Sequence, residues 1–227
     1  MSETVSLTSA DGFVFPAYVA RPSGKPRAGV VVVQEIFGVN AHIRAVADGY
    51  AAQGYLAVAP ATFHRVQHGV ELAYSPPDIQ AGAALKAQVE ALPAPGVVPD
   101  IAAAIECAAQ AGKVGMVGYC WGGLLTWRSA CLQQGLSAAV PYYGGGMTVG
   151  SEIARTPLCP VLCHFGDQDH AIGMDTVQAF ELAQPKVEVR VYQAQHGFNC
   201  DHRGSYDAAA AALALERTLT FFARHLA

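Results

Sequence analysis

The eleven residues from Lys113 to Gly123, KVGMVGYCWGG, constrain this chain more than any other stretch. An apolar run of strand length meets Gly118-x-Cys120-x-Gly122, and a helical pattern starts at once on the far side. A chain can reverse that sharply only where flanking side chains are absent, so the two glycines imply a strained strand-to-helix turn, a nucleophile elbow, with the Cys120 thiol at its apex. Such a turn needs a buried strand behind it and a helix in front, which places the chain among layered α/β structures.

Two further groups stand in the positions such an apex requires. Asp169 follows the apolar run 160–165 in His164-Phe165-Gly166-Asp167-Gln168-Asp169, and His196 follows the strand-like run 187–192 in Gln195-His196-Gly197-Phe198. Each therefore lies just past the carboxyl end of an expected strand, the edge at which open α/β sheets assemble their sites. The chain order is nucleophile, acid, base. Asp167 competes with Asp169 for the acid role, and its alternative reading is a residue that shapes the turn.

Around these groups the pattern alternates regularly. An opening hairpin is expected at 5–8 and 13–20, turning at Asp11-Gly12 and lying at a sheet edge. Gly29-Val30-Val31-Val32-Val33 is a continuous β-branched run, typical of a central parallel strand covered on both faces. A helix is expected at 41–53, a strand at 55–59, and a long loop over the site at 60–77, ending in Pro76-Pro77. Helices at 78–92 and 99–110 are separated by Pro93-Ala94-Pro95-Gly96. After the elbow come a helix at 121–134, strands at 137–140 and 160–165, a helix at 174–183, a strand at 187–192 and a closing helix at 207–225. No internal repeat or linker interrupts the pattern, so residues 1–227 are expected to form one domain.

Composition excludes several classes. A chain of 227 residues that is 52% hydrophobic and 14% charged has enough apolar surface for a sheet covered on both faces. A net charge of −4 argues against a nucleic-acid or anionic-membrane partner, and no run approaches a membrane span. The first residues carry no signal stretch, and a cytoplasmic location is expected. Cys107, Cys131, Cys159 and Cys163 fall in apolar segments and read as buried thiols rather than disulfides. In a strand Cys159 and Cys163 share a face while His164 points away, so no metal site is expected there. His64 and His68 read as surface-loop residues, and Cys200 and His202 as pocket walls rather than ligands.

Gln34-Glu35-Ile36-Phe37-Gly38-Val39-Asn40, the Gly118 to Gly123 elbow, Gly166-Asp167-Gln168-Asp169, His196-Gly197-Phe198 and Glu216-Arg217-Thr218 together resemble the dienelactone hydrolase family, over nearly the whole chain. The resemblance implies a single-domain α/β-hydrolase fold, with a mostly parallel central sheet, an antiparallel N-terminal edge and helices on both faces. It also implies hydrolysis of a small ester or lactone, of the carboxymethylenebutenolidase kind, through an acyl-enzyme on Cys120. It favours Asp169 as the acid, because the family places that residue three after the glycine. General carboxylesterase or thioesterase activity is the alternative, followed by a non-catalytic thiol-sensing protein of the same fold. No cofactor is implied, and a monomer or small homo-oligomer is expected.

The chemistry assigns the roles in the same way. A free thiol is mostly protonated at neutral pH, so Cys120 needs His196 as its base, and Asp169 orients the imidazole. The oxyanion donors are expected to be the backbone N–H groups of Trp121 and Ile36. Glu35 matches the family's glutamate that keeps the cysteine neutral until substrate arrives. Family members acting on dienelactone hold its carboxylate with arginines, one of them four residues after the histidine, where this chain has Cys200. Arg65 and Arg203 are the remaining candidates for an anion clamp. Phe37, Tyr74 and Phe198 are expected as further substrate-binding residues, and Phe63, Val70 and Tyr74 suit an apolar ester.

Overall fold

The computed structural model describes residues 1–227 in two compact units, Met1–Val114 and Gly115–Ala227. The first contains β1 (Ser2–Thr8), β2 (Val14–Ala20), β3 (Gly29–Val33), α1 (Ala41–Ala52), β4 (Leu56–Pro60), α2 (Pro76–Glu90) and α3 (Val98–Ala108). Its strands run in the order β1-β2-β4-β3. β1 and β2 form the expected antiparallel hairpin, from Ser2 opposite Ala20 to Thr8 opposite Val14. β2 pairs antiparallel with β4, and β4 parallel with β3. Every residue of β3 and β4 is buried, as the unbroken β-branched run of β3 requires. At Gly29 an added Cβ would run into the carbonyl of Ala108, so the glycine lets the end of α3 close onto the start of β3.

The chain from 61 to 75 forms the expected long loop, but Pro76-Pro77 opens α2 rather than closing the loop. Proline at the first helical positions loses no hydrogen bond, because those N–H groups have no partner in the helix. Ser75 caps this end reciprocally with Asp78. Asn40 caps α1, accepting from Ile43 N–H at 3.2 Å, and its Nδ2 donates to the Leu72 carbonyl at 3.0 Å, which ties the loop down.

The second unit takes up β5 (Val114–Tyr119), α4 (Trp121–Leu132), β6 (Leu136–Tyr142), β7 (Leu162–Gly166), α5 (Met174–Ala183), β8 (Glu188–Tyr192) and α6 (Ala208–His225). Its strands run in the order β5-β6-β7-β8. β7 pairs with β8 in parallel from Leu162 opposite Glu188 to Gly166 opposite Tyr192. β6 outruns its expected end at 140 by two residues, through Pro141. Ala139 N–H donates to the Pro160 carbonyl at 3.0 Å and Tyr143 N–H to that of His164 at 2.7 Å, while Pro141 between them has no N–H to give. The strand thus loses one rung and continues.

Candidate active site

Cys120 sits one residue past β5 with φ 56° and ψ −118°, in the left-handed half of backbone space that costs a non-glycine residue on the order of 1–3 kcal/mol. Hydrogen bonds hold it there: its N–H donates to the Tyr142 carbonyl at 3.0 Å, and its carbonyl accepts from Gly123 N–H at 2.9 Å. The glycines follow from the same turn. A Cβ at Gly118 would collide with the Gly122 carbonyl and Thr126 Oγ1, and one at Gly123 would lie 2.8 Å from both the Tyr142 carbonyl oxygen and Gly144 Cα. Trp121 is the first residue of α4, where a backbone N–H is not used by the helix's own ladder.

The two candidate acids differ in their surroundings. Asp169 Oδ1 accepts from the N–H groups of Ala171 at 2.8 Å and Ile172 at 3.2 Å, and Oδ2 faces His196 Nδ1 at 2.7 Å. Its side chain is 1% exposed, whereas Asp167 points to solvent. His196 also hydrogen-bonds Cys120, and with Nδ1 on Asp169 the nitrogen turned to the sulfur is Nε2. Burial pushes the imidazole down, but the hydrogen bonds with Asp169 and Cys120 outweigh it and raise its pKa to about 10. The structure thus brings Cys120, His196 and Asp169 into one hydrogen-bonded line.

In the first unit Tyr74 gathers a second group. Its hydroxyl donates to Glu35 Oε2 at 3.3 Å and accepts from Asn40 Nδ2 at 3.1 Å, and its ring lies 4.5 Å from that of Phe37. Glu35 is fully buried and Phe37 nearly so. The Ile36 carbonyl abuts Gly82 of α2, where a Cβ would not fit. The pairing of Asn40 with Tyr74 was not legible in the sequence, because that contact spans 34 residues.

The family model of the dienelactone hydrolases matches residues 15–226. The chain belongs to the dienelactone hydrolase family. It is 36% identical over 233 residues to the carboxymethylenebutenolidase of Pseudomonas putida, covering 98% of this chain and 97% of that one. A crystal structure of a candidate dienelactone hydrolase from Klebsiella pneumoniae is 33% identical, with a TM-score of 0.85 over 98% of each chain. A dienelactone hydrolase-like promiscuous phosphotriesterase from metagenomic libraries, 23% identical with a TM-score of 0.78 over 99% of this chain and 98% of that one, shares the fold. This dienelactone hydrolase relative therefore has the α/β-hydrolase fold and hydrolyses ester or lactone bonds.

Within this family member, two of the residues expected to bind substrate are engaged elsewhere. Arg65 is spent on structure: it pairs with Asp100 through Nε at 2.8 Å and Nη2 at 2.6 Å, meets Asp11 at 2.8 Å, and stacks over Phe13. Those partners hold its guanidinium well above its ordinary pKa. Phe198 is 0% exposed, packed among Tyr142, Tyr143 and Tyr192. A side chain wholly inside an aromatic core offers no face to a ligand. Arg203 sets its guanidinium against Gly197, the residue after His196: a Cβ there, at φ +78°, would lie 2.5 Å from Nη1. Cys200 and His164 are buried, and both His164 nitrogens are engaged by hydroxyls, Tyr192 at 2.8 Å and Thr218 at 3.0 Å.

Proposed function

We propose that this enzyme opens a small ester or lactone through an acyl-enzyme on Cys120, with His196 as base and Asp169 as its orienting acid. The observation that carries the reading is the thiol on a strained apex, hydrogen-bonded to an imidazole whose far nitrogen stands 2.7 Å from a buried carboxylate. Once the thiol proton is on His196, Sγ attacks the acyl carbon. The carbonyl electrons move onto oxygen, where the N–H groups of Trp121 and Ile36 are the proposed donors, each worth about 100- to 1000-fold in rate. Collapse breaks the C–O bond, and the leaving oxygen takes the proton from His196. Water, deprotonated by His196, then attacks the thioester, and the acid leaves as the thiol is restored.

Glu35 is proposed to gate the thiol, on the family motif it occupies and on its complete burial. Glu35→Ala is then expected to change both turnover and the peroxide sensitivity of Cys120; if neither moves, Glu35 has no such role. Arg203 is proposed to receive an anionic substituent of the substrate, because its guanidinium lies against Gly197, the residue that follows the base in the chain. Tyr74 is proposed as a substrate contact, with Phe37 packed behind its ring. Six free cysteines suit the reducing cytoplasm.

The deciding experiment is a substrate panel of a carboxylated enol-lactone, an aryl acetate and a short acyl thioester, run with wild type, Cys120→Ala and Arg203→Ala. Turnover of the lactone by wild type, none by Cys120→Ala and a raised KM in Arg203→Ala support the whole reading. Turnover of the neutral esters alone keeps the triad and removes the anion clamp. Activity in Cys120→Ala overturns the cysteine mechanism.

A further inference from the structure

Besides Cys120, one other non-glycine residue has a positive φ: Tyr143, at 37°. A bulky aromatic residue there is strained, and glycine would occupy the position more easily. The strain is held in place. Tyr143 N–H donates to the His164 carbonyl at 2.7 Å, its ring is 0% exposed, and the next residue, Gly144, packs against the first turn of α4 at Gly123. The ring lies 5.1 Å from the His196 imidazole at an interplanar angle of 61°, with Phe198 at 5.2 Å and Tyr119 at 6.2 Å around it. The residue before it, Tyr142, gives its carbonyl to Cys120 N–H.

We propose that Tyr143 is a positioning residue for the triad: its left-handed backbone turns the buried ring against His196 and keeps the imidazole aimed at Cys120. This rests on the triad reading above and extends it. Asp169 and Cys120 hold the ring at its two nitrogens, and hydrogen bonds at those two points leave rotation about the line between them open. A rigid aromatic surface against the imidazole closes that freedom. Because Tyr142 holds the nucleophile's backbone, two consecutive residues set the distance between sulfur and base. A displacement of about 1 Å at such a pair costs on the order of 100-fold in rate.

The test compares Tyr143→Leu, Tyr143→Gly and Tyr143→Phe with wild type and with Cys120→Ala. Leu conserves most of the buried volume, and Gly suits the backbone angle, so Gly carries the test if Leu does not fold. Both are expected to lower kcat about 30- to 100-fold with KM within about threefold, and to slow iodoacetamide alkylation of Cys120 in parallel. Phe, which keeps the ring, is expected to restore kcat to within about threefold of wild type. Folded Leu or Gly variants with wild-type kcat, while Cys120→Ala is dead, overturn the role of Tyr143 and leave the triad standing. So does a Phe variant as slow as Leu, because the ring itself would then not be what matters. An active Cys120→Ala overturns the triad instead.

Discussion

Asp169 and His196 are joined at 2.7 Å across 27 residues of chain, and the carboxylate is held from its other oxygen by two backbone N–H groups of its own turn. Asp169 therefore cannot swing to follow the imidazole; the imidazole is held to Asp169. Asp169→Asn, which keeps the shape but leaves the wrong tautomer favoured, is expected to lower kcat by about 10³- to 10⁴-fold. Asp167→Asn, at an exposed side chain, is expected to stay within about twofold. Steady-state kinetics on one ester decide between them, and equal losses would remove the assignment of the acid.

Two histidines give stability opposite pH dependences. Burial, with Arg217 and Arg190 nearby, lowers His164 to about 3 from 6.5. Between those values the unfolded chain binds a proton that the folded one refuses, so stability falls as pH drops from about 6.5 towards 3. His196 is raised from 6.5 to about 10, so its contribution is complete below pH 6.5 and is lost as pH rises towards 10. Denaturant unfolding from pH 4 to 10 is expected to show both limbs. His164→Gln flattens the acid limb and leaves the alkaline limb in place.

Gly118→Ala is expected to destabilise the fold by about 2–3 kcal/mol and to abolish activity, since its Cβ would enter the space of the Gly122 carbonyl and Thr126 Oγ1. Both are backbone or short, buried groups with little room to move. Chemical denaturation measures the first effect. Alkylation of Cys120 in the fraction that stays folded measures whether the elbow has shifted.

Arg65 and Arg203 separate stability from specificity. Arg65→Ala leaves Asp100, 1% exposed, without its guanidinium, and is expected to cost about 2–3 kcal/mol of stability with KM unchanged. Arg203→Ala is expected to raise KM for a carboxylated lactone several-fold, to spare a neutral aryl ester and to leave the unfolding midpoint near wild type. Kinetics and denaturation of both variants check the pair, and a KM effect from Arg65→Ala would return Arg65 to the substrate site.

Local pattern was sufficient for most of the architecture. Gly29–Val33 and Met174–Ala183 fall at their expected bounds, and the strand-to-helix turn at Cys120 was legible because each glycine there answers a clash within a few residues. Pro76-Pro77 was misread because proline both ends loops and begins helices, and only the cap at Ser75 tells which. The strand expected at 137–140 runs on through Pro141, because a parallel strand tolerates one lost rung when the pairs on either side hold.

The sequence by itself determined the alternation of strands and helices, the strained apex at Cys120 and the order in which acid and base follow it. These depend on spacing and on the conformational range of single residues. Only the tertiary structure decided that Asp169 faces His196 while Asp167 faces solvent, and that Arg65 belongs to Asp100 and Asp11. It also decided that Phe198 is core and that Tyr143 backs the imidazole. Those outcomes depend on distances between residues far apart in the chain, which packing sets and which no local pattern encodes.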